Sequence, residues 1–79
     1  MKIQAHSAYQ TFDFIAFVNA VFDEMVNHNM QPTELAEETG YTDGLIYKVL
    51  RYETCSLPTI ITLAKWAEID LSDFVIEQD

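Results

Sequence analysis

Residues 32–52 read Pro32-Thr33-Glu34-Leu35-Ala36-Glu37-Glu38-Thr39-Gly40-Tyr41-Thr42-Asp43-Gly44-Leu45-Ile46-Tyr47-Lys48-Val49-Leu50-Arg51-Tyr52. Pro32 suits a first helical position, where its missing N–H costs nothing, and Glu34 is spaced to reach back to the backbone N–H of Gln31. These signals predict a helix over about Pro32 to Thr39. Gly40 supplies the left-handed residue that closes it, and Thr42 caps a new helix two residues later, predicted over about Asp43 to Tyr52. Two short helices joined by a tight Gly-containing turn make a helix-turn-helix. Ala36 is small enough for the helices to cross closely, Gly40 makes the turn, and Ile46 and Val49 plug the second helix into a core. That leaves Thr42, Asp43, Gly44, Tyr47, Lys48 and Arg51 on the outer face, the face that would enter a DNA major groove.

On the N-terminal side, Thr11 is a plausible cap for a first helix running to about Asn27. Phe14, Phe17, Val18, Val21, Phe22 and Met25 share one arc, which Ile15 and Val26 extend to about 180°, wider than the roughly 100° stripe a surface helix needs. The surplus (Ile15, Phe22, Val26) is a candidate dimer or partner surface. On the C-terminal side, Ser56 caps a fourth helix with Pro58 in its first turn and Ile60, Ile61, Leu63, Ala64 and Ala67 as its apolar set, and Trp66 falls at the edge of the inward face. A short closing helix is expected after Asp70, with Leu71, Phe74 and Val75 on its buried side. The sum is an all-α, compact five-helix domain over residues 11–79, preceded by an N-terminal arm over 1–10 in which Lys2, Ile3 and Ala5 could form a short arm or an added strand.

Length and composition limit the alternatives. Seventy-nine residues hold one domain, and a core that small favours dimerisation. No apolar run approaches the 18 residues or so of a membrane span, and no leader opens the chain, so a cytoplasmic protein is expected. Cys55 has no partner cysteine for a disulfide, and nothing completes a zinc site. His6 and His28 lack a nucleophile or carboxylate at a telling spacing, Cys55 lies beside Glu53, and there is no Gly-rich phosphate loop. An enzyme is therefore not expected, nor is any metal or cofactor.

The run Glu34-Leu35-Ala36-Glu37 to Gly40, then Ile46 and Val49, and later Leu63-Ala64-Lys65 with Ile69-Asp70-Leu71-Ser72-Asp73-Phe74, resembles the phage-repressor and Cro-like helix-turn-helix family, whose members have the lambda-repressor-like DNA-binding domain. The resemblance spans residues 30–75. It implies five helices, a second helix that crosses the DNA backbone, a third that reads bases, and a closing segment that contacts a second copy, making Phe74 and Val75 candidates for a two-fold contact. A phage or prokaryotic transcription regulator, dimeric on double-stranded DNA, is the function implied. Pro32, Asp43 and Gly44 depart from the residues more usual in the family.

Charge pulls the other way. Thirteen Asp and Glu oppose four Lys and Arg, a net charge of −9, which disfavours phosphate backbones and anionic membranes. Residues 42–52 alone are net positive, at +1, because half of the basic residues, Lys48 and Arg51, fall there. The rival expectation is an acidic protein-interaction module of the same fold, an antirepressor, antitoxin-like protein or DNA mimic, that binds a basic protein partner through its charge, the helix-1 surplus or Trp66.

Overall fold

The computed structural model describes residues 10–53 and 56–77. The arm residues Lys2, Ile3 and Ala5, together with His6 and Cys55, lie outside them. Strand β1 (Gln10–Phe12) is followed by helices α1 (Phe14–Asn27), α2 (Pro32–Thr39), α3 (Asp43–Leu50) and α4 (Leu57–Ala67). A 3-10 turn (Leu71–Phe74) then leads into strand β2 (Val75–Glu77).

The central helices begin as their sequence dictates. Glu34 Oε1 accepts the Gln31 N–H at 2.7 Å, and Thr42 Oγ1 accepts the Leu45 N–H at 3.2 Å, each satisfying a donor that the first helical turn would leave orphaned. The ends share one device. Asn29, Gly40, Tyr52 and Glu68 follow the four α-helices with φ of 53°, 82°, 62° and 57°. In each case the next residue's N–H reaches the carbonyl five positions back: Met30 to Met25, Tyr41 to Ala36, Glu53 to Lys48 and Ile69 to Ala64, all at 2.8–3.0 Å. Met30, Tyr41 and Ile69 then pack against the core and pin the reversal.

That core joins every α-helix. Phe17, Val18, Val21 and Met25 of α1 pack with Leu35 and Ala36, Ile46 and Val49, and Leu63 and Ala64. α2 and α3 make the most extensive pairing, over the buried Ala36. Two polar ties hold α4 from outside: Tyr41 Oη donates to Thr62 Oγ1 at 3.2 Å, and Trp66 Nε1 donates to Glu38 Oε1 at 2.8 Å. Tyr52 Oη donates to Asn19 Oδ1 and fastens the end of α3 to α1.

Several expectations are corrected, that of a purely all-α domain among them, since the described residues also form a two-stranded sheet. The fifth helix is a single 3-10 turn, capped by Asp70, whose carboxylate accepts the Ser72 hydroxyl at 2.8 Å and the Ser72 N–H at 3.0 Å; these bonds, the hydroxyl's first, lower its pKa. Val75 leaves that turn for β2, where it pairs with Phe12 and is 41 % exposed rather than buried. Thr11 is not the cap of α1: its backbone is in β1, paired with Ile76, and the Asp13 N–H is committed to the Phe74 carbonyl at 2.7 Å. The helix therefore starts at Phe14, with Asp13 Oδ1 accepting the Ala16 N–H. The two-stranded antiparallel sheet, which no alternating pattern announces in three-residue strands, brings Phe12 within 5.5 Å of Phe17 and 6.4 Å of Phe74, ring centre to ring centre. Ile61, about 100° round α4 from Ile60, lies outside the inward set and is exposed.

The two glycines separate conformation from space, since a Cβ added at either meets nothing within 4 Å. Gly40→Ala is expected to destabilise the protein by about 1 kcal/mol, because alanine resists the left-handed region. Gly44→Ala, in ordinary helical backbone, is expected to stabilise it by about 0.5 kcal/mol. Thermal unfolding of the two variants checks the sign: the melting temperature falls for the first and rises for the second.

Candidate nucleic-acid interface

Seating Ile46 and Val49, each 1 % exposed, fixes the rotation of α3 about its axis. Thr42, Asp43, Gly44, Tyr47, Lys48 and Arg51 are consequently all exposed, and the structure brings the six together along one side of α3 and its flanks. From Gly44 to Arg51 the face rises about 10 Å, within what a B-form major groove roughly 12 Å wide accommodates. Tyr47, 42 % exposed, has its ring free to stack, and the closely spaced Lys48 has no ion-pair partner among the described residues.

Arg51 is different. Its Nε donates to Glu53 Oε2 at 2.9 Å, both side chains being about half exposed. The bond from Arg51, the guanidinium's charge and, more weakly, Lys48 hold the Glu53 carboxyl below the ordinary glutamate value, against a small desolvation cost. With Asp43 at one end and Glu53 folded back at the other, two carboxylates balance the two cations. The positive charge of residues 42–52 is therefore largely cancelled in three dimensions. Glu53, two residues past Arg51, is a pairing partner that its nearness in sequence offers, and the turn at Tyr52 folds it back onto the guanidinium.

The start of α2 also differs from an open phosphate site. The Glu34 carboxylate already occupies the Gln31 N–H, so an anion approaching there meets negative charge. Ala36, Ile46 and Val49 are buried, and Gly40 is left-handed.

The remaining candidates divide. Ile15, Phe22 and Val26 form an exposed stripe along α1, each 50–60 % exposed. Phe74 is half-buried, edge-on to Phe17 with ring centres 6.0 Å apart, so its ring is spent on the core. Trp66 is half-buried beside His28, ring centres 5.9 Å apart. Among the described residues no His, Cys, Asp and Glu side chains are grouped to hold a metal ion, and no helix is long and apolar enough to cross a membrane.

No family model, characterised protein or solved structure matches the chain.

The Arg51–Glu53 pair gives a titration test. By carboxyl-detected NMR, Glu53 is expected to titrate below the ordinary glutamate midpoint, and Arg51→Gln to move the midpoint up. As the folded-state value is the depressed one, the pair's stabilising contribution is present above the unfolded-state value and fades as pH falls through the folded-state value. Solvent screening keeps it small.

Proposed function

We propose that the protein is a small DNA-binding transcriptional regulator with a helix-turn-helix of the repressor-like class. In this reading α2 and α3 are its two helices, it works as a cytoplasmic homodimer, and it acts by occupying an operator rather than by catalysis. The observation that carries the reading is the exposed side of α3, set outward by Ile46 and Val49 and bearing Tyr47, Lys48 and Arg51 together. In a two-fold dimer two such faces enter successive major grooves about 34 Å apart. Val75 and Ile76, over 40 % exposed on β2, offer the apolar contact between copies.

Electrostatics sets the character of the binding. Each protomer offers about 2 phosphate contacts, against the 6–10 of a strongly electrostatic binder. A dimer would then show a salt slope of about −4 in log K against log salt. Discrimination rests on contacts to base edges: Thr42 and Arg51 as hydrogen-bonding groups, Tyr47 as a stacking surface, Asp43 as an acceptor for a cytosine amine, and Gly44 as the point of closest backbone approach.

The second reading is an acidic module of the same fold that binds a basic protein instead of DNA. It is favoured by Glu34 closing the start of α2 and by Glu53 holding Arg51.

Fluorescence anisotropy of labelled duplexes, from random-sequence pools and then from selected sites, separates them. Salt-sensitive binding that the Lys48→Glu/Arg51→Glu variant abolishes, and that Glu53→Gln strengthens about threefold by releasing Arg51, supports the regulator. Operator affinity unchanged in the double variant, or no duplex bound at low salt from a selected pool, overturns it.

A further inference from the structure

The molecule also carries a cleft lined by no residue of α3 or β2. It lies where the end of α1, α2 and the end of α4 meet. It has a volume of about 460 Å³ and is lined by Glu24, His28, Met30, Glu38, Trp66 and Glu68. That volume falls within the roughly 300–1,000 Å³ of ligand-sized sites. Trp66 and His28 stand side by side as an aromatic wall. The Trp66 N–H is bound by Glu38 Oε1, which holds the indole in place and fixes that carboxylate beside it.

The charge around the wall is one-sided. Among the described residues no Lys or Arg lines the cleft, whereas three carboxylates do. Glu24 Oε1 receives the Asn27 amide at 3.2 Å and stands 4.0 Å from His28 Nε2. The second oxygens of Glu24 and Glu38, and both of Glu68, have no protein partner among the described residues. Glu68 is held at the rim by the left-handed turn that ends α4. An indole face is the strongest aromatic partner for a cation, and a planar guanidinium both stacks on it and forks onto adjacent carboxylates, which an ammonium does less well.

Met30 also lines a second cleft. This is an apolar groove of about 240 Å³ lined as well by Phe22, Val26 and Pro32, the first two among the most exposed large apolar side chains of α1. An apolar groove that shares Met30 with an aromatic, acidic cleft matches a basic segment carrying both an apolar side chain and an arginine. We propose that these two clefts, which share Met30, are the docking site for a basic, arginine-bearing segment of a protein partner. Phe22 and Val26 seat the apolar residue, and Trp66, Glu24, Glu38 and Glu68 receive the guanidinium. None of the residues that line it belongs to the exposed side of α3, so it serves a DNA-binding regulator and an interaction module alike.

Trp66 is the single tryptophan of the chain and reports on its own site. The probe is an acetylated, amidated helical peptide carrying leucine and arginine on one face, titrated against the whole protein while Trp66 emission is followed. Its comparison peptide has citrulline in place of arginine, the same shape without the charge. The arginine peptide is expected to change Trp66 emission saturably and the citrulline peptide to bind about tenfold more weakly. The Glu24→Gln/Glu68→Gln variant, with its helicity checked by circular dichroism, is expected to lose about tenfold in affinity. Phe22→Ala is expected to weaken the peptide about fivefold while leaving the weak binding of free acetyl-arginine amide unchanged. Equal binding of the citrulline peptide, or unchanged affinity in the double Gln variant, overturns the site. Free acetyl-arginine amide binding as tightly as the peptide overturns the docking segment in favour of a small cationic molecule. No DNA enters the titration, so its failure and a failure of DNA binding are distinguishable.

Discussion

Helices of 8 to 14 residues do not persist alone in water, so this fold depends on turning each one back onto its neighbours before any fraying can spread. The left-handed residues Asn29, Gly40, Tyr52 and Glu68 perform that reversal, and the hydrogen bond spanning five residues after each satisfies carbonyls that would otherwise be orphaned. Three of the four are not glycine, so the conformation carries a steric cost that local contacts must outweigh. Tyr52 offsets it through its hydroxyl on Asn19, and Glu68 and Asn29 through the burial of Ile69 and Met30 just beyond them.

The reversal at Gly40 sets the relation between α2 and α3, and everything said of the exposed α3 side follows from it. With Ala36 buried at the crossing and Ile46 and Val49 seated, α3 has one rotational setting, and the polar residues on its other side must face solvent. The reversal at Tyr52 has the opposite effect on that side. By ending α3 at Leu50 it turns the chain so that Glu53 folds back onto Arg51. One device thus presents a cationic pair, and its repetition a dozen residues later neutralises half of it.

The acidic surplus is likewise sorted by the fold. Residues from three separate helices, Glu24, Glu38 and Glu68 at the last helix's end, converge on one cleft around Trp66, at a distance in sequence that hides the grouping. Adjacent in the chain, Glu37 and Glu38 look equivalent. Only Glu38 is drawn to Trp66, because the helix sets its neighbour about 100° away.

Local chemistry in the sequence was sufficient for the four α-helices, their starts at Pro32, Thr42 and Ser56, the turn at Gly40 and the inward set of Ile46, Val49, Leu63 and Ala64. Each of these rests on interactions within a few residues or on helical periodicity. What depended on distant partners was decided by tertiary structure. Thr11 lost its capping role to strand pairing with Ile76, and the expected fifth helix shrank to a 3-10 turn because Phe74 and Val75 were drawn into contact with Phe12, Phe17 and Asp13. Trp66 acquired its acidic surroundings from the same source. A helix announces itself through near neighbours, whereas a strand pair or a cleft between three helices exists only once the chain has brought remote residues together.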